Sequence, residues 1–314
     1  MSHSQLQQIT ELLRSSPLDL GGDVAVMRQV FDEMLADAPM PGDARTTPVT
    51  LGGVPVIEVV AGPATAPGAI LYFHGGGYAL GSAARSVNLA ADIARRIHRP
   101  VYTVDYRLAP EHPYPAAVDD AVAAYQGLLA QGVPPQSVAV AGESAGGGLA
   151  LALLLRLRDH GLALPAAAAV MSPWADLTGT ADSLRSRAAL DPSLTSDALA
   201  ARAADYLDGA DPLTPYASPV RAYLHGLPPL LVQVGSAEIL LDDALGLAAQ
   251  AARDDVAVTL ETFPGAPHVF QGFAALLDEG RAALDRLGAF LRYHLDTPNP
   301  SATPLVAPVT SDAA

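Results

Sequence analysis

The sequence predicts an α/β fold: a mostly parallel central sheet with helices on both faces and a helical cap. Three observations carry this. From residue 69 onward, short apolar runs alternate with longer segments of helical spacing, the rhythm of strand–helix–strand units. Gly142-Glu143-Ser144-Ala145-Gly146 stands between the apolar run 137–141 and the small-residue helical stretch 147–156, so it reads as strand, tight turn, helix. The rhythm then breaks over 179–225, which is polar, Ala-rich and interrupted by Pro192, Pro212, Pro215 and Pro219, as expected of an insertion.

Taken in order, 5–14 and 23–38 have helical periodicity, with Leu6, Ile9, Leu12 and Leu13 on one face of the first and Val26, Val30, Met34 and Leu35 on one face of the second. They precede every strand and are expected to form, as residues 1–40, the N-terminal part of a lid. The runs 45–51 and 54–60 read as strands joined at Gly52-Gly53, a hairpin signal. A buried strand is expected at 69–73, then helix 86–98, strand 101–106, helix 117–131, the strand and helix flanking Ser144, and strand 166–171. After the inserted segment come strand 230–234, helix 242–253, strand 258–263 and helix 272–294. The expected organisation is a catalytic domain of 41–178 and 226–296, an inserted cap of 179–225 and a mobile Pro-, Ala- and Thr-rich tail, 297–314.

Composition narrows the chemistry. The 314 residues suffice for a large core. With no Cys there is no disulfide, thiolate nucleophile or cysteine metal site. Every basic side chain other than His is Arg, which removes Schiff-base and Ser-Lys mechanisms. A net charge of −15 argues against a nucleic-acid partner. The N-terminus is polar rather than signal-like and no apolar run reaches the length of a membrane span, so a cytoplasmic protein is expected.

The turn at Ser144 has the pattern of a nucleophile elbow. A sharp turn exposes the hydroxyl, the flanking glycines avoid clashes, and the next helix directs its N-terminal N–H groups at the same point. The plainer reading, a capping serine in a glycine-lined turn, does not account for the strand and helix on either side. His74-Gly75-Gly76-Gly77 follows strand 69–73, and a glycine run there lets main-chain N–H groups reach a developing oxyanion. His74 is expected to brace that loop. Of eight histidines, His268 alone lies in the loop between the last strand and the last helix, which should open on the same sheet edge as the elbow, so it is the expected general base. The acid should follow strand 230–234, where Glu238, Asp242 and Asp243 are candidates. Position favours Glu238, because the two aspartates fall where carboxylates cap a helix. No metal-ligand spacing such as H-E-x-x-H occurs, and no metal or cofactor is expected.

These motifs, with Tyr106-Arg107-Leu108-Ala109-Pro110-Glu111-His112-Pro113-Tyr114-Pro115-Ala116, resemble the bacterial hormone-sensitive-lipase-like (type IV) esterases of the α/β-hydrolase fold over roughly residues 20–295. The resemblance implies that the N–H groups of Gly76, Gly77 and Ala145 form the oxyanion hole, and that 106–116 is structural, with Arg107 pairing Glu111. Two departures stand out. Glu143 replaces the usual elbow Asp, and Glu238-Ile239-Leu240-Leu241-Asp242 replaces an Asp-Pro-Leu-x-Asp acid motif, leaving Glu238 as triad acid and Asp242 as the alternative. Asp211-Pro212-Leu213 matches literally but lies ahead of the required strand. The implied activity is hydrolysis of a small-molecule ester, of the short- to medium-chain acyl class extending to aryl esters. The alternatives are an amidase, a lactone hydrolase or a catalytically silent receptor. The resemblance allows a homodimer, on which no stretch of the chain reports.

Overall fold

Apolar runs too short for helices dominate the middle of the chain, and each becomes a buried strand. The computed structural model describes residues 3–36 and 40–297. The chain begins with helices α1 (His3–Arg14) and α2 (Val24–Ala36), followed by β1 (Arg45–Leu51) and β2 (Val54–Val60). Then come β3 (Ala69–Phe73), α3 (Val87–Ile97), β4 (Val101–Val104), α4 (Ala116–Ala130), β5 (Val138–Glu143), α5 (Ala145–Asp159) and β6 (Ala167–Met171). The inserted stretch carries α6 (Ser183–Ser186) and α7 (Ser196–Leu207); β7 (Leu230–Gly235), α8 (Leu241–Arg253), β8 (Val258–Phe263) and α9 (Asp278–Asp296) complete the fold.

The strands form one sheet of eight in the order β1-β2-β4-β3-β5-β6-β7-β8. β2 is antiparallel to both β1 and β4, and every other neighbouring pair is parallel. Side chains alternate across the sheet. Leu71, Phe73, Val140, Ala168, Val170 and Val232 share a buried cluster with residues of α4, α5 and α8. Ile70, Tyr72, Ala139, Ala169 and Leu231 share the other with α3 and α9. Both faces of the central strands are therefore dry, which explains why they read as continuous apolar runs. Each fully buried Leu, Ile or Val side chain contributes about 1.5–3 kcal/mol, so this two-sided burial dominates the driving force.

Register decides where the loops emerge. Phe73 pairs with Gly142, Glu143 with Met171, Met171 with Gln233, and Gly235 with Phe263. The C-terminal ends of five adjacent strands thus lie along one edge, and the residues that follow them, 74–77, 144, 172, 236–238 and 264–268, share a rim. The chain leaves β3 toward β4 on one side and returns to β5 on the other, so the rim includes the crevice where strand order reverses.

Several expectations change in detail. The helix expected at 272–294 begins only at Asp278, after a 3-10 turn at Phe270–Phe273. The chain doubles back between them because Phe270 and Leu277 bury themselves with Leu6, Phe263, Ala266 and Ala283. The Arg107–Glu111 pair does not form. Arg107 instead forks onto Asp120 of α4, with contacts of 2.8–3.0 Å. Glu111 takes both ends of the Arg28 guanidinium at 2.7 Å. Asp120 lies one helical turn into α4, beneath the loop, whereas Glu111 points outward to α2. The tail expected to be mobile lies, apart from Thr297, outside the described residues, as do residues 1–2 and 37–39 of the expected N-terminal cap.

Candidate active site

Ser144 joins β5 to α5 with φ 54° and ψ −124°, a conformation that costs a non-glycine residue about 1–3 kcal/mol. Hydrogen bonds hold it there. Its N–H donates to Met171 O at 3.0 Å, and its carbonyl accepts from Trp174 N–H at 2.9 Å and Gly147 N–H at 3.0 Å. The flanking glycines are required by close approach. A Cβ on Gly142 would lie 2.3 Å from Gly146 O, and one on Gly146 would lie 2.1 Å from Phe73 O. Ala145 opens α5, so its N–H has no intrahelical acceptor and the positive end of the helix dipole faces the serine.

The loop after β3 lies against this turn. A Cβ built on Gly75 would be 3.1 Å from Ser144 Cβ, and Gly75 N–H donates to Glu143 Oε1 at 2.8 Å. Gly76 and Gly77 have φ values of 113° and 63°, open to glycine and strained for other residues. Among the described residues, no hydrogen bond uses the N–H groups of Gly76, Gly77 or Ala145. His74 braces the loop from below. Its ring stacks on Tyr106 with centroids 4.3 Å apart, its Nδ1–H donates to Gly75 O at 2.7 Å, and Tyr106 OH donates to His74 O at 2.7 Å. Burial drives the His74 pKa down to about 4, which keeps the ring neutral.

Glu238, fully buried, accepts three hydrogen bonds: His268 Nδ1–H at 2.6 Å on Oε2, and Ser172 Oγ–H at 2.8 Å and Gly235 N–H at 2.7 Å on Oε1. This arrangement fixes the imidazole tautomer and leaves Nε2 with its lone pair. Asp242 and Asp243 are engaged elsewhere. Asp242 Oδ2 accepts Ser183 N–H, and Asp243 Oδ2 accepts the N–H groups of Ala175 and Asp176, each at 2.8 Å. Asp211 folds onto Leu213 N–H in a surface turn. Four other histidines are placed elsewhere: His98 and His160 end helices, His225 meets Asp254 O, and His294 packs on Phe290 and Tyr293.

Ser172 went unnoticed in the sequence. Besides Glu238, its Oγ accepts Val269 N–H at 3.1 Å. The four residues 171–174 therefore grip the serine turn through Met171 and Trp174, and the acid and histidine loops through Ser172. Its position directly after β6, the strand next to the elbow, was the available signal. Among the described residues, no group of His, Cys, Asp or Glu is placed to hold a metal ion.

A family profile described as alpha/beta hydrolase fold matches residues 70–272. An acetyl-hydrolase of Streptomyces hygroscopicus is 43% identical over 297 residues, covering 93% of this chain and 97% of that protein. The crystal structure of EstE5 superposes with a TM-score of 0.90 at 43% identity, covering 93% of this chain and 99% of that one. The crystal structure of an esterase from the bacterial hormone-sensitive lipase family does so with a TM-score of 0.89 at 41% identity, covering 93% of this chain and 98% of that one. The chain belongs to the bacterial hormone-sensitive-lipase family of α/β hydrolases.

In this α/β hydrolase the site's charges reinforce one another. Burial disfavours a charged His268, but Glu238 outweighs it through charge and hydrogen bond, and Asp191 and Glu143 push the same way, so the net shift is upward. Burial raises Glu143 to about 7, against the stabilising hydrogen bonds from Tyr72 OH and Gly75 N–H and the charge of His268. The two groups influence each other's ionisation because the histidine loop and the end of β5 share the rim.

Segments outside the sheet cover this rim. Leu6 of α1 packs with Phe263 and Phe270 on either side of the histidine loop. Arg28 of α2 also donates to Ala79 O at 2.8 Å and Ala109 O at 3.0 Å. From α7, the Arg202 stem would be 3.0 Å from a Cβ on Gly77, and Tyr206 stacks on Tyr78 with centroids 3.9 Å apart.

Proposed function

We propose that the protein is a serine carboxylesterase that hydrolyses short- to medium-chain acyl esters, aryl esters among them, through an acyl-enzyme. One observation carries the reading: a buried glutamate clasps His268 on the same sheet edge where Ser144 is held strained against a glycine loop. In this mechanism Nε2 of His268 takes the Ser144 proton as Oγ attacks the ester carbonyl. Glu238 keeps the ring in the required tautomer and stabilises the imidazolium. The N–H groups of Gly76, Gly77 and Ala145 receive the oxyanion, and loss of one such donor typically costs about 10²–10³ in kcat. The alcohol leaves with the proton from His268, and water repeats the sequence to release the acid.

The preference for small acyl groups rests on relatives named acetyl-hydrolase and ethyl acetate hydrolase. In this reading residues 1–40 and 179–225 act as the cap, and among the described residues the contacts of Leu6, Arg28, Arg202 and Tyr206 beside the rim support that division. Substrate would bind between this cap and the sheet edge.

The test is kinetic. Ser144→Ala should lose p-nitrophenyl butyrate turnover by about 10⁴-fold or more, with an unchanged circular dichroism spectrum and thermal melt. Turnover near the native rate in that folded variant would remove the mechanism.

A further inference from the structure

The inserted segment reaches the loop that carries Glu238 and captures the residue next to it. Ser183 Oγ–H of α6 donates to Ile239 O at 2.6 Å and accepts Asp242 N–H at 3.1 Å. Asp191, eight residues on, accepts Ile239 N–H on Oδ2 at 2.8 Å. Its other oxygen accepts Ser193 N–H at 2.9 Å and Leu194 N–H at 2.8 Å, closing a turn at Pro192 that fixes the carboxylate. Both main-chain polar groups of Ile239 are thus taken by the insertion. Among the described residues no Arg pairs with Asp191.

We propose that Asp191 is a positioning residue for the catalytic pair: seated by the inserted segment, it fixes the peptide after Glu238 and sets a second negative charge against His268. The proposal rests on the triad reading above and deepens it. Two carboxylates from separate elements bear on the imidazole, Glu238 from the loop after β7 and Asp191 from the insertion, and Glu143 at the end of β5 adds to them only when ionised. Glu238 holds the ring directly. Asp191 acts through the backbone of the loop and through its field, which favours the imidazolium that forms during attack. An insertion displaced from the rim would withdraw both contributions, so the competence of the histidine depends on the seating of the segment that covers substrate.

The test compares kcat and KM across pH 5–9 for the full-length enzyme and its Asp191→Asn, Asp191→Glu, Ser183→Ala and Ser144→Ala variants, with p-nitrophenyl butyrate as probe. The acid limb of kcat/KM reports the free-enzyme pKa of the base. Removing a negative charge makes the imidazolium less favourable, so Asp191→Asn should move that limb to lower pH by about half a unit, the size expected of one partly screened charge. It should also lower kcat about 10-fold, as a displaced catalytic group does, with KM little changed. Ser183→Ala keeps the charge and loosens the same loop, so kcat should fall while the limb stays. Asp191→Glu should return the limb toward its native position. If Asp191→Asn does not fold, Asp191→Ser, whose hydroxyl can still cap the turn, takes its place. An acid limb unmoved by loss of the charge overturns the proposal, whatever happens to kcat. Turnover retained by Ser144→Ala would instead remove the triad reading beneath it.

Discussion

Three carboxylates lie within six residues of one another, yet only Glu238 meets His268. Side-chain reach and loop position separate them. Glu238 is three residues beyond β7 and turns back to accept Gly235 N–H, whereas Asp242 and Asp243 have entered α8 and hold the backbone of other segments. Glu238→Ala should therefore lower kcat by about 10⁴-fold, the scale seen when a triad acid is removed. Asp242→Ala should cost stability, about 1 kcal/mol for a lost capping interaction, with kcat within a few-fold of native. Steady-state kinetics beside urea denaturation separates the two effects, and a larger kinetic loss in Asp242→Ala would exchange their roles. The raised pKa of His268 also has a sign. In the proposed mechanism His268 must be neutral to act as the base, so the acid limb of kcat/KM should lie above the ordinary histidine value of about 6.5. A limb below that value in the native enzyme would contradict the charge arrangement.

Among elements, legibility followed how local the cause was. The bounds of β1, β2, β3 and β8 were readable because alternation or a short apolar run bracketed by turn residues depends on neighbours in sequence. The start of α9 was not. Phe273, Leu276 and Leu277 keep a helical spacing, but Leu277 turns inward to a cluster that includes Leu6, which is remote in sequence. The true start is marked by Asp278-Glu279, acidic residues suited to a helix N-terminus. The partner of Arg107 was hidden for a related reason: Glu111 is nearer in sequence, but folding of α4 presents Asp120 and α2 claims Glu111. The Arg28–Glu111 fork is partly solvated, with side chains 31% and 54% exposed, so its charge contributes under about 1 kcal/mol. Arg28 also holds two main-chain carbonyls beside the glycine loop. Arg28→Ala should lower Tm by about 2–4 °C and raise KM several-fold with a smaller change in kcat, measured by thermal melt and substrate saturation. An unchanged KM would mean that α2 does not help to form the substrate site.

At the scale of the molecule, the sheet register does the assembling. Residues spread over nearly two hundred positions, from Gly75 to His268, meet because five parallel strands end in line and their loops open on one rim. The positions of Ser144, the glycine loop and His268 at strand ends were legible, since each follows a strand with a recognisable turn. Ser172 and the ties from Ser183 and Asp191 to Ile239 were not legible, because a lone Ser or Asp in a polar stretch carries no signal until the fold supplies its partner. No helix among the described residues is long and apolar enough to cross a membrane. In the proposed mechanism Ser144 is a nucleophile activated by His268 on this rim. Treatment with a fluorophosphonate followed by peptide mass spectrometry reads out that nucleophile. One adduct is expected, on the peptide containing Ser144, formed at a rate that collapses in His268→Ala. Failure of an active enzyme to label, or an adduct on a different serine, would contradict it.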